Sequence, residues 1–251
     1  MTLNVIGIIQ ARTGSTRLKN KIFEMIDNKL LIERVIDRVK QASLINKVVV
    51  ATTMDSSDDV FTDWCEYNSV YVFRGSDDNV LDRFYKCAEF YKADVIVRIT
   101  ADDPFKDPII INHAIDLLIK NNFDYVSNTI NPTFPEGVDV EVFRFDSLKT
   151  AFYEAKLGSE KEHVTPYIWK NPEKFALHNF ENNENISHLR WTIDYAEDLE
   201  FANAIYKKLR TKNNIFFMED VLTVLKEFPE FLNIQKKVAR NEGYFKSTEE
   251  E

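Results

Sequence analysis

The sequence predicts an α/β fold, a mostly parallel sheet with helices on both faces, and three observations carry that reading. Short runs of β-branched and aliphatic residues recur at 5–9, 48–50, 70–73 and 95–97. Each is followed by a stretch whose apolar residues return at helical spacing, and βαβα succession of this kind builds a parallel sheet covered on both sides. No Gly/Ser/Pro-rich linker and no internal repeat interrupts the 251 residues, which are numerous enough to bury one full core. Residues 1–251 are therefore expected to form a single domain.

In order, the first strand at 5–9 leads to a helix in which Leu31, Ile32, Val35, Ile36 and Val39 share a face. The run Val48-Val49-Val50 is a buried second strand, followed by a polar helix start at Ser56-Ser57-Asp58-Asp59. Residues 70–73 form a third strand and 77–91 a third helix. A fourth strand begins at Val95, and a helix over 108–121 has Pro108 near its start, where a missing N–H costs nothing. After about residue 122 the rhythm changes. Strands are expected at 125–126, 138–145, 175–179 and 189–193, with helices at 145–156, 160–171, 195–209 and 218–228. Residues 130–180 are read as an excursion of strands added to the sheet, and 230–251 as a peripheral tail.

Composition narrows the classes of function. The chain carries 44% hydrophobic and 29% charged residues, as an ordinary globular protein does. No apolar run approaches the ~18–20 residues of a membrane span, and residues 1–4 lack the opening of a signal peptide. The expectation is a cytoplasmic protein with no membrane partner. Cys65 and Cys87 are isolated, which argues against a disulfide framework or a thiolate metal site. His113, His163, His178 and His188 contain no i, i+4 pair of the kind zinc uses. With a net charge of −9, the chain has no broad basic face for nucleic acid.

Positive charge is instead concentrated at one end. The first 23 residues hold Arg12, Arg17, Lys19 and Lys21 and no acidic residue, leaving the other 228 at −13. These cations surround Thr13-Gly14-Ser15-Thr16, directly after the first strand. Backbone N–H groups in such a loop can bind phosphate oxygens, Arg can grip them bidentately and Lys can act as a mobile point charge. The loop lacks the Walker pattern, and a solvated basic surface loop is the plain alternative. Only six glycines are present; Gly14, Gly75 and Gly137 fall among polar loop residues and are expected to mark positive φ or close backbone approach, whereas Gly7, Gly158 and Gly243 do not fall so.

Two acids complete the pattern. Asp102 closes the fourth strand at the edge where open α/β sheets bind ligands, and Asp194 closes the short run Arg190-Trp191-Thr192-Ile193. Each alone also fits a turn or helix-cap aspartate. If their strands lie side by side, the two carboxylates could share one Mg²⁺ with a bound triphosphate, since this cation favours one or two carboxylates completed by phosphate and water.

These segments resemble the cytidylyltransferases of the spore-coat polysaccharide biosynthesis protein F type, similar in turn to the enzymes that make CMP-sialic acid and CMP-Kdo. The resemblance spans about residues 5–228. It is carried by 9–18, by Phe73-Arg74-Gly75-Ser76-Asp77-Asp78 and on to Arg83, by 98–104, by Pro135-Glu136-Gly137-Val138-Asp139-Val140-Glu141, by Glu162-His163-Val164-Thr165-Pro166-Tyr167, and by 194–200. It implies a nucleotide-diphospho-sugar-transferase-like, Rossmann-like mixed sheet, and a Mg²⁺-dependent transfer of a cytidylyl group from CTP to an acidic sugar of the 2-keto acid type, in a homodimer. By position, Ala11, Arg12, Gly14, Ser15, Arg17 and Lys21 would hold the nucleotide, and Arg74, Gly75, Ser76 and Arg83 would border base and ribose. Arg12, Lys21, Asp102 and Asp194 would be the catalytic set, the two aspartates as metal ligands. Gly137, Asp139, Glu141 and His163 would face the acceptor, and the resemblance implies that the 130–180 excursion serves acceptor binding and dimerisation.

After Leu18 the family's usual Pro-Gly is replaced by Lys19-Asn20, and Asn can take the left-handed geometry a turn there needs. A family proline is likewise replaced by Leu30. Three alternatives remain at this stage. They are a glycosyltransferase of the same fold using Asp102-Asp103, a sugar-phosphate nucleotidyltransferase with another acceptor, and a subunit that only binds nucleotide.

Overall fold

The computed structural model describes residues 3–15, 17–209, 215–235 and 238–249, so Thr16 of the basic loop lies outside the described residues. In chain order the elements are β1 (Val5–Gln10), a one-turn 3₁₀ helix at Lys21–Phe23, β2 (Met25–Ile26), β3 (Lys29–Leu30), α1 (Leu31–Val39), β4 (Lys47–Thr53), a 3₁₀ turn at Ser56–Asp58, α2 (Asp59–Tyr67), β5 (Tyr71–Gly75), α3 (Val80–Phe90), β6 (Val95–Thr100) and α4 (Pro108–Lys120). Then follow β7 (Tyr125–Ser127), β8 (Glu141–Arg144), α5 (Phe145–Glu154), α6 (Gly158–His163), α7 (Pro166–Trp169), β9 (Leu177–Asn179), α8 (Ala196–Lys208), α9 (Met218–Glu227), a 3₁₀ turn at Pro229–Asn233 and α10 (Glu242–Glu249).

Seven strands form the main sheet in the order β5-β4-β1-β6-β8-β7-β9, while β2 and β3 make a separate hairpin. The strands β5, β4, β1 and β6 are parallel, and β8 runs against both of its neighbours. The expected mostly parallel, mixed sheet is thus what the chain builds. Side chains alternate across it. Val5 and Ile9 of β1 enter a core with α1, α2, α4, α8 and α9, whereas Ile6 and Ile8 enter a second core with α3, α5 and α7. No helix among the described residues is long and apolar enough to cross a membrane.

Two expected elements change. Residues 189–193 form no strand; they make one bridge, Glu136 with Arg190. The segment passes beyond the end of β6, where Ile193 N–H donates to Asp102 O at 2.9 Å and Trp191 N–H to Glu136 O at 2.7 Å. The expected helix at 160–171 is broken at Val164, whose φ of 71° ends α6 before Pro166 opens α7. A β-branched residue rarely takes that conformation.

The site is positioned by β1 and β6. Gln10 pairs with Thr100 at the last register position of these neighbours, so the basic loop and the 101–104 turn leave the sheet side by side. The chain order departs to opposite sides of β1, toward β4 on one hand and β6 on the other. That reversal opens a crevice at the carboxyl ends.

Candidate active site

The basic loop is pinned from below by a residue the sequence reading did not single out. Asp58 is 1% exposed and its Oδ1 accepts from Thr13 N–H at 2.8 Å and Thr13 Oγ1 at 2.7 Å. Its Oδ2 accepts from Thr52 Oγ1 at 2.7 Å, Thr53 N–H at 3.2 Å and Thr53 Oγ1. Burial would raise its pKa, but these donors outweigh it and hold the carboxyl below the usual range. The sequence signal was the polar run at 56–59, which reads equally as a helix start. Above this anchor Ala11 is buried, Arg12 and Gly14 are exposed, and Ser15 N–H donates to Thr13 O at 2.8 Å.

Gly14 departs from expectation. Its φ is not positive and a Cβ there would meet no atom within 4 Å, so its space opens on solvent. The substituted turn does form: Asn20 takes φ 52°, and Lys21 follows at the head of the 3₁₀ helix.

Lys21 brings the two aspartates together. Its Nζ donates to Asp102 Oδ2 at 2.7 Å, Asp194 Oδ1 at 3.1 Å and Ile193 O at 3.1 Å. Burial works against the ammonium, yet Asp102 and then Asp194 outweigh it and raise its pKa. Reciprocally, burial would lift Asp102, and Lys21 instead pulls it below the ordinary carboxylate value. Asp194 Oδ1 also receives Arg17 at 2.7 Å, and its Oδ2 receives Arg190 at 2.9 Å. Fully buried Asp198 then fixes this corner. It accepts from the backbone N–H of Asp194 and of Tyr195, each at 2.9 Å, and from Arg190 at 2.5 Å. Capping of this kind was anticipated for Asp194, but Asp198 performs it.

Three oxygens (two carboxylates and a carbonyl) converge on one ammonium, a donor set suited to a hard divalent cation once the lysine is drawn away. Among the described residues no group of three or more His, Cys, Asp or Glu side chains could hold a metal ion. Asp102 and Asp194 would therefore supply the protein's carboxylates, leaving further positions for substrate oxygens and water.

Beside this cluster lies a polar cavity of about 210 Å³. Asp139, Glu141 and His163 of the expected acceptor set line it together with Arg98, Lys106 and Arg190. Gly137 is not in the lining, but its φ of 106° and a Cβ position only 2.8 Å from the Trp191 carbonyl carbon mark a close backbone approach next to the Glu136–Arg190 pair. Glu141 bonds Arg98, Tyr125 Oη at 2.7 Å and Thr165 Oγ1 at 2.5 Å. Burial would raise Glu141, but Arg98 and these hydroxyls hold its pKa down. Burial pushes Glu136 up to about 7 and Asp139 up to about 6, and lowers His163.

The third group is apart. Arg74, Gly75, Ser76 and Arg83 do not line this cavity. Arg74 is occupied structurally, donating to Thr53 O and Asp55 O at 2.8 Å each and pairing with Asp59 at 2.6 Å. Arg83 is buried, donates to Ser76 O at 2.8 Å, and leaves Nε without a partner. Of the C-terminal segment, expected to be peripheral, residues 238, 239 and 241–244 line the cavity, and Arg240 pairs with Asp139.

The profile of the family described as cytidylyltransferase matches residues 6–220. The spore coat polysaccharide biosynthesis protein SpsF of Bacillus subtilis is 34% identical over 235 residues, covering 90% of this chain and 96% of that one. A 3-deoxy-manno-octulosonate cytidylyltransferase of Trichlorobacter lovleyi is 31% identical over 120 residues, 47% of this chain and 46% of its own. Among solved structures, a cytidylyltransferase from Leptospira borgpetersenii superposes with a TM-score of 0.86 at 30% identity, covering 95% of this chain and all of that one.

Proposed function

The chain belongs to the cytidylyltransferase family, and on that footing we propose that it couples CTP to a hydroxyl of an acidic, 2-keto-acid-type sugar, releasing pyrophosphate and a CMP-sugar for a surface polysaccharide or glycan. The observation that carries this reading is the convergence of Asp102 and Asp194 on Lys21, beside Arg17, at the carboxyl ends of β1 and β6. Carboxylates and cations so interleaved can exchange partners. A triphosphate draws Arg12, Arg17 and Lys21 to its oxygens, and Asp102 and Asp194 are then free to hold Mg²⁺.

Bound there, Mg²⁺ would neutralise charge on the phosphates. The residues of the chain do the rest by position and charge. The loop orients the triphosphate so that its α-phosphorus faces the cavity. The acceptor oxygen forms a bond to that phosphorus, the α–β bridging bond breaks, and the hydroxyl proton is lost to solvent or base. Arg98, Lys106 and Arg190 in the lining suit an acceptor that carries a carboxylate. The relative from Trichlorobacter is named for such a sugar, and SpsF is named for polysaccharide biosynthesis. Family membership favours nucleotidyl transfer over the glycosyltransferase alternative.

The test is a screen of CTP, UTP, ATP and GTP against acidic sugars and sugar phosphates, read by released pyrophosphate. The expected result is release with CTP, Mg²⁺ and an acidic sugar together. Release that ignores the nucleobase, or that needs a neutral sugar phosphate instead, contradicts the proposal.

A further inference from the structure

One wall of the cavity is made by the C-terminal segment, and its contacts are of an unusual kind. Asn241 N–H donates to Glu136 Oε1 at 3.1 Å, and Arg240 donates to Phe134 O at 2.9 Å besides pairing with Asp139. Glu242, the first residue of α10, accepts from Arg17 at 3.1 Å and from Tyr195 Oη at 3.3 Å. Ser247 Oγ lies 3.1 Å from His163 Nε2 and donates to Glu162 at 2.6 Å, while the Tyr244 ring stands edge-on to His163 and Trp169. Among the described side chains from 238 to 248, none belongs to either hydrophobic core. The wall is held by ion pairs, hydrogen bonds and ring edges. Three of its partners, Arg17, Asp139 and His163, are the very groups assigned above to nucleotide and acceptor.

Glu242 offers Arg17 the same chemistry that a phosphate oxygen would: anionic oxygen accepting from a guanidinium. A phosphate oxygen that approaches Arg17 Nη1 competes directly with Glu242, which accepts from that nitrogen, while Asp194 accepts from Nη2. We propose that residues 238–249 are a substrate-gated wall of the acceptor cavity, and that Glu242 holds Arg17 until the CTP triphosphate takes that guanidinium and releases the wall. This rests on the reading of the chain as a CTP-using enzyme. It makes CTP the first substrate to bind and the acceptor the second, since the same segment that CTP loosens also covers Asp139 and His163.

The pair is partly exposed, with Arg17 at 36% and Glu242 at 28%, and a pair of that exposure is worth little. The effect of removing it is accordingly modest. Calorimetric titration of CTP with magnesium chloride should show E242Q binding about two- to fivefold more tightly than the unmodified chain. In an R17A background the same substitution should change nothing. Independently of any variant, CTP should speed hydrogen exchange of the α10 amides in the unmodified protein. CTP binding with unchanged affinity in E242Q and unchanged α10 exchange overturns the gate while leaving the nucleotide assignment standing. Failure of both proteins to bind CTP overturns the underlying functional reading, and the gate with it.

Discussion

Asp102→Asn is the substitution whose consequences can be worked furthest. Asp102 Oδ2 accepts a 2.7 Å charge-assisted hydrogen bond from Lys21 and its side chain is 25% exposed. A bond of this type contributes about 1.5–3 kcal/mol when well buried; with Lys21 still held by Asp194, about 1–2 kcal/mol is the expected loss at pH 7. For a chain of this length, that lowers Tm by about 2–8 °C. The pH dependence fixes the cause. Because Lys21 depresses the Asp102 pKa in the folded protein, its stabilisation is present above the unfolded aspartate value, near 3.9, and is lost as pH falls through the lower folded value. Urea unfolding of both proteins should therefore show a gap at pH 7 and 5 that narrows below about pH 4. With a working acceptor, pyrophosphate release should fall at least ~10²-fold, the scale of losing a preorganised electrostatic contact. A stability gap indifferent to pH, or near-normal release from the folded variant, refutes the role given to Asp102.

Other outcomes follow from the same geometry. Arg12→Ala should raise the KM for CTP and leave thermal stability nearly unchanged, because Arg12 is exposed; steady-state kinetics over a CTP series decides it. Asp58→Ala strands five donor contacts in a buried site and should cost about 2–4 kcal/mol in denaturant unfolding, with weaker CTP binding in the protein that remains folded. Gly137→Ala combines a φ of 106° with a 2.8 Å approach to the Trp191 backbone, so a loss of at least ~2 kcal/mol is expected from chemical denaturation.

The part of the fold set by local pattern was legible. The runs at 48–50 and 95–97 became β4 and β6 because buried parallel strands are continuously apolar. Pro108 opened α4 as a first-turn proline should. Where tertiary contacts decide, sequence pattern misled. Residues 189–193 look like a strand but lie past the sheet, tied by one backbone bond to Asp102 and by two to Glu136. Within 160–171, the positive φ of Val164 splits one expected helix into two.

For the site, Asp102 follows the end of β6 as the sequence reading expected, whereas Asp194 ends no strand and meets Asp102 only because Ile193 N–H bonds the Asp102 carbonyl. Asp58 was missed since its partners Thr13, Thr52 and Thr53 are brought to it only by the β1–β4 pairing. The C-terminal wall had no signal at all: Arg240 meets Asp139, and Glu242 meets Arg17, across separations of 101 and 225 residues. Neither pair follows any period in the chain. Arg74 was assigned by resemblance, and its guanidinium bonds Thr53 O, Asp55 O and Asp59 at the β4–α2 connection.

Everything in the proposed chemistry turns on one oxygen cluster trading an internal ammonium for a metal–triphosphate complex. Calorimetric titration of CTP with and without Mg²⁺, on the unmodified chain and on Asp194→Asn, addresses that exchange directly. The account predicts binding at least ~10-fold tighter with Mg²⁺, with the gain abolished by the substitution. CTP binding that is the same in both conditions, or a Mg²⁺ gain that survives in the variant, contradicts it.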